Sequence, residues 1–170
     1  MNPIFIAHLV ADFLFQPTWL VKWKKRSSKG IIVHASIHAA ILAVLVIPQT
    51  FLAAAIILII ALTHGIIDHI KISLPKKSFE PAFLFDQVIH AAILLFAMRF
   101  LPFNQNFWNS ENGVLLAALL VFFSFGIGLW NLIHIKNYPV QTIQQKTVRI
   151  STIILVFLLY GGATILAAKS

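Results

Sequence analysis

Four pairs of ionisable residues recur at one spacing along the first ninety positions. "HLVAD" carries His8 and Asp12, "HASIH" His34 and His38, "HGIID" His64 and Asp68, and "DQVIH" Asp86 and His90. Residues four apart lie one above the other on a helix face, so each pair aims two metal-capable or proton-exchanging groups in one direction. Neutral imidazole with carboxylate is a donor set that suits zinc, and also iron, manganese, cobalt and nickel. The pattern predicts a divalent metal centre, zinc first, drawn from these eight residues. Four or five of them suffice for one ion, and the full set could hold two, or one ion with acid–base and supporting partners. Asp12 and Asp86 are the candidate bases. A proton or ion pathway without a fixed metal and a hydrogen-bonded structural network are the other readings of the same residues. His69, about 100° around the helix from Asp68, reads as interfacial, and His134 as a headgroup residue. Gln87, Ser36 and Thr63 are candidate supporting donors, though helix packing explains them as well.

The elements that must position these pairs are written in the composition. Of 170 residues, 59% are hydrophobic and 11% charged, with a mean hydropathy of +0.90. A soluble domain sits near 45–50% apolar and about 25% charged. The expected fold class is therefore all-α, a polytopic transmembrane helical bundle forming one domain over residues 1–170. A span needs about 20 residues, and six segments qualify: Pro3 to Leu20, Gly30 to Ile47, Thr50 to Ile70, Ala82 to Phe100, Gly113 to Ile135 and Arg149 to Ala168. Residues 1–100 carry the site, and 113–168 form a C-terminal pair of spans. "FQP" at Phe15 to Pro17 predicts a first span that is short or kinked, and the chain start lacks the features of a cleaved signal peptide. No cysteine is present, which excludes disulfides and thiolate ligands.

Loop charge supplies the orientation. "KWKKRSSK", "KISLPKKSFE" and "KNYPVQTIQQKTVR" are rich in Lys and Arg, whereas "PQT" is uncharged and "RFLPFNQNFWNSEN" has one Arg and one Glu. By the positive-inside rule the basic loops face the cytoplasm and both termini lie outside the inner membrane. The formal charge of +8 thus reads as topology and contact with anionic headgroups, not as a nucleic-acid footprint. At 1.5 Å per residue all eight site residues then fall about 3–13 Å from the cytoplasmic ends of their segments. Ionisable groups in a membrane face protein or water and pair with one another, so the four pairs should meet in one layer.

The stretches "HLVADFLFQPTWLVKWK", "IIVHASIHAAI", "LTHGIIDHIK" and "FLFDQVIHAAILL" resemble the DUF3307 family of small bacterial and phage membrane proteins. The family pattern looks like His-x3-Asp-Phe-x2-Gln, paired histidines, His-x3-Asp and Asp-Gln-x2-His. It is met by His8, Asp12, Phe13 and Gln16, by His34 and His38, by His64 and Asp68, and by Asp86, Gln87 and His90. The resemblance covers about residues 5 to 95 and brings no established activity with it. A weaker likeness, in style only, is to membrane-bound metal-dependent hydrolases that also place His and Asp in their helices.

The leading functional expectation is a membrane-embedded metal-dependent hydrolase that meets a lipid-like substrate from the cytoplasmic side. A divalent metal or proton transporter using the same cluster is the first alternative, and a structural or partner-binding membrane subunit the second. A membrane redox enzyme ranks below these, because the only glutamates, Glu80 and Glu111, fall in loops. Whether copies of the chain form a homo-oligomer is left open by the sequence.

Overall fold

The computed structural model describes residues 2–73, 79–134, 150–151 and 153–158. Among these residues the chain is all-α, with no strand. Helix α1 (Pro3–Leu9) starts where the Asn2 side chain accepts the Ile4 N–H at 3.0 Å, with Pro3 in its first turn. Every residue of α1 is buried. Apart from His8 the helix is apolar all round, and it fills the centre of the bundle, packed against α3, α5 and α7.

At Val10–Leu14 the helix widens into a π-helical stretch, closed by an i→i+5 bond from Phe15 N–H to Val10 C=O at 2.9 Å. Pro17 then stands in extended backbone, and α2 (Thr18–Lys24) leaves at 92° to Pro3–Leu14. The expectation of a short or kinked first span is met, since α1 and the π stretch together are only twelve residues long. Helix α2 is amphipathic: Leu20 and Lys24 are buried, while Trp19 and Trp23 are exposed. It lies against the start of α3 (Ser28–Val46), where a Cβ on Gly30 would come within 2.6 Å of Lys24 N and 2.7 Å of Trp23 C. Only glycine allows that approach.

Helix α3 begins at Ser27, whose hydroxyl accepts the Lys29 N–H, and buries Ile31, His34, His38, Leu42 and Val46. It stops at Ile47, which takes φ 52° just before Pro48. Helix α4 (Phe51–Ser73) buries Ala53, Ile57, Ile60, Ala61, His64, Gly65 and Asp68. Both stripes recur at three to four residues, the period of one helix face. Helix α5 (Phe79–Ala97) turns Asp86, Gln87, His90, Ala91 and Leu94 inward. A short α6 (Gln105–Asn109) seats Trp108 so that its indole N–H donates to Leu45 C=O at 3.2 Å. Helix α7 (Glu111–His134) packs on the π stretch, and Phe157 meets Phe13 ring to ring at 5.0 Å.

Three helices, Ser28–Val46, Phe51–Ser73 and Glu111–Trp130, are long and apolar enough to cross a bilayer, with the bent pair Pro3–Leu14 and Thr18–Lys24 as a fourth if it counts as one broken span. Phe85–Ala97 is apolar but shorter. Among the described residues the count is thus three to four where six were expected: the first segment is bent, the fourth is represented by the shorter Phe85–Ala97, and most of the sixth lies outside the described residues. Outward residues such as Phe51, Leu62, Ile66, Phe96 and Phe122 are apolar and exposed, as a lipid-facing surface should be.

Candidate metal centre

Four of the predicted ligands come from three elements and aim at one point. Asp12 is supplied by the π stretch, His34 and His38 by α3, and His64 by α4; one ligand atom from each lies within 4.8 Å of every other. Asp12 Oδ1 is 3.1 Å from His34 Nε2, 3.0 Å from His38 Nε2 and 3.7 Å from His64 Nε2. His34 Nε2 and His64 Nε2 are 3.0 Å apart. Ligands held about 2.0–2.1 Å from a tetrahedral ion are about 3.3 Å from one another, and these separations straddle that value.

The ring nitrogens are crowded around one carboxylate oxygen. His34 Nε2 has Asp12 Oδ1 at 3.1 Å, Gln16 Nε2 at 2.9 Å and His64 Nε2 at 3.0 Å. To serve Asp12 it must donate, and to meet the Gln16 amide N–H it must accept, which one nitrogen cannot do at once. A cation at the focus could take the facing lone pairs of Asp12, His34, His38 and His64 together, leaving the Gln16 amide N–H to Asp12. The His34 and His64 rings have no hydrogen-bond partner for Nδ1 among the described residues; each packs against the ring of His38, His34 edge-on at 4.7 Å and His64 stacked at 3.6 Å.

The other four predicted residues surround this group. His8 Nε2 lies 3.5 Å from Asp12 Oδ2, and the His8 ring is 5.1 Å from that of His90. Asp68 Oδ2 is 3.6 Å from His34 Nε2 and 3.8 Å from His64 Nε2. Asp86 Oδ1 is 3.6 Å from His90 Nδ1. The structure therefore brings all eight together, four as a ligand group and four around it. Asp12 is half-buried and the rest are buried.

Two lysines complete the electrostatics, and sequence reasoning had assigned them only to topology and headgroups. Lys24 Nζ donates to Asp68 Oδ2 and Lys71 Nζ to Asp86 Oδ2, each at 2.5 Å. Each buried carboxylate needs compensation, and these ammonium groups neutralise two of the three. Asp12 instead takes the imidazoles and the amides of Gln16 and Gln87, each amide at 3.3 Å. With neutral imidazoles the chamber keeps one negative charge, placed on a ligand. Lys71 was findable in principle, three positions after Asp68 on one helix; Lys24 was hidden in a run of basic residues. Of the proposed supporting donors, Gln87 does reach Asp12. Ser36 and Thr63 bond their own helix carbonyls, at Ile32 and Ile59. His69 is exposed, and the His134 side chain lies outside the described residues.

A family model described as a protein of unknown function, DUF3307, matches residues 1–124. The chain belongs to the DUF3307 family. The matched stretch of this DUF3307 chain contains all eight site residues, both lysines and Gln16. Comparison with curated proteins and with solved structures returned no match.

Beside the ligand group of the DUF3307 chain is a cavity of about 10 Å³, room for about one water. It is lined by His8, His38, His64 and His90 together with Ile4, Leu42, Ile60, Ile93 and Leu94, among others.

Proposed function

We propose that this chain is a metal-dependent hydrolase embedded in the inner membrane, acting on an ester, phosphoester or amide of a lipid-like substrate from the cytoplasmic side. The observation that carries the reading is the convergence of Asp12, His34, His38 and His64 within 4.8 Å in a chain with bilayer-length helices. An ion on these ligands would act as a Lewis acid toward the substrate and toward water, and zinc suits the donors best. The adjoining cavity gives a water its place. Asp12 is taken up by the ligand group, so the role of base falls to Asp86, buried beside His90 with Lys71 on its other oxygen. Water adds to the scissile centre, the ester bond breaks, and the water's proton goes to the leaving group by way of the base. The cytoplasmic orientation rests on the basic loops, and the exposed Trp19 and Trp23 of α2 suit the headgroup level where such a substrate would enter.

Transport is the weaker reading, since toward the other ends of their helices the buried residues beyond His38 and His64 are aliphatic, Leu42 and Val46 on α3 and Ile60, Ile57 and Ala53 on α4.

Protein purified in mild detergent should contain stoichiometric divalent metal by elemental analysis, and His64→Ala and Asp12→Ala should contain less than a tenth of it. Incubated with radiolabelled bacterial lipid extract, the loaded protein should release a water-soluble product. Asp86→Ala should abolish release while keeping its metal. A gently handled parent without metal would sink the reading; a loaded parent that cleaves no lipid would remove the hydrolase part of it.

A further inference from the structure

Asp12 divides its two oxygens between two sets of partners. Oδ1 faces His34 and His38 at 3.1 and 3.0 Å, whereas Oδ2 lies 3.5 Å from His8 Nε2 and 3.3 Å from the Gln87 amide nitrogen. On that second side stands His90. Its Nδ1 is 2.8 Å from the Asp86 backbone carbonyl, and a carbonyl only accepts, so the ring proton is on Nδ1. Nε2 therefore carries a lone pair. That atom is buried, in a residue only 3% exposed, and has no hydrogen-bond partner among the described residues. A histidine whose far nitrogen donates to a backbone carbonyl, leaving a lone pair aimed inward, has the usual support of a metal ligand. The His90 ring stands 5.1 Å from His8 and 4.3 Å from His64, and all three border the cavity of about 10 Å³.

We propose a second divalent-cation site formed by His8 Nε2, His90 Nε2 and Asp12 Oδ2, with Asp12 bridging it to the first ion. A half-turn of the Gln87 terminal amide places its carbonyl oxygen where its nitrogen now meets Oδ2, adding a neutral oxygen ligand. Carboxylate-bridged ions stand about 3.5–4 Å apart, close enough to clamp attacking and leaving oxygens together. The cavity is lined by ligands of both ions, His38 and His64 of the first and His8 and His90 of the second. Charge sets the order of filling: the first ion meets a net negative chamber, and the second meets a net positive one. The second ion should therefore bind more weakly and leave first on dialysis.

This inference rests on the one-ion reading above and is tested separately from it. The detergent-purified full chain, stripped with chelator, is titrated with manganese(II), counting ions per chain and recording electron paramagnetic resonance spectra. Two ions per chain with a spin-coupled spectrum are expected in the parent. His90→Ala and, as a second variant, His90→Gln should each hold one ion with an uncoupled spectrum, which also shows that the first site has folded. One ion in the parent overturns the second site and leaves the first standing. Two coupled ions retained in both His90 variants overturn the ligand assignment, and no ion in the parent overturns both readings.

Discussion

At the scale of single residues, the chamber works by dividing labour among three carboxylates. Asp12 is left to histidines and amides, while Asp68 and Asp86 each hold a lysine at 2.5 Å. A buried pair resists loss of one partner far more than loss of both. Lys24→Met should therefore destabilise the fold by about 3–5 kcal/mol in denaturant titrations in detergent, because it strands the buried Asp68 charge. The double variant Lys24→Met with Asp68→Leu should recover most of that loss and keep its metal. Loss of the ion from the double variant would instead make Asp68 a ligand, against the assignment to Asp12, His34, His38 and His64. The four i,i+4 pairs were legible because helical periodicity alone puts such residues on one face. Lys24 was not: a cation that neutralises a buried aspartate and one that marks a cytoplasmic loop have the same letter.

At the scale of elements, the π stretch and the close crossing of α2 on α3 are what allow one short helix to serve the site. The i→i+5 bond at Val10–Phe15 shifts the helical register beside Asp12, a feature often found at functional sites. After the 92° bend, α2 returns against α3 and delivers Lys24 to Asp68. That return depends on Gly30. Gly30→Ala should cost about 1–3 kcal/mol through overpacking, since its Cβ meets unyielding backbone at 2.6 Å, and the Trp19 and Trp23 fluorescence should shift as α2 lifts. Gly65→Ala is the control. Its Cβ would touch Ala35 Cβ at 3.4 Å and Ile31 Cγ2 at 3.7 Å, both side-chain atoms, so the change should stay within about 1 kcal/mol and leave the tryptophan signal alone. The bend was foreseen from "FQP", but a π turn has no compositional signature, because it changes which backbone groups pair and not which side chains are present.

At the scale of the whole molecule, an apolar bundle encloses a polar chamber near one end of its helices. The absence of native cysteine makes the topology open to a clean test. Ser27→Cys, in the basic loop before α3, should react with a membrane-impermeant maleimide only from the cytoplasmic face, and Gln49→Cys, beyond the far end of α3, only from the other. Labelling of both from one side would reverse the orientation on which cytoplasmic access rests. If the chamber is filled, the ion is also part of the fold's stability. An ion held at 1,000 times its dissociation constant adds about 4 kcal/mol, so chelation should lower the thermal midpoint and readdition restore it.

Composition and the length of its apolar stretches determined that this chain is helical, with helices apolar enough to cross a bilayer, and side-chain spacing alone named the eight residues that meet. Those properties are local: hydropathy and the 3.6-residue period are carried by each stretch without reference to any other. Tertiary structure alone decided that α1 is a buried centre and not a lipid-exposed span, because an apolar surface reads the same against protein and against lipid. It also decided which carboxylate stays available to a cation, since that depends on where two lysines arrive from other turns of the chain.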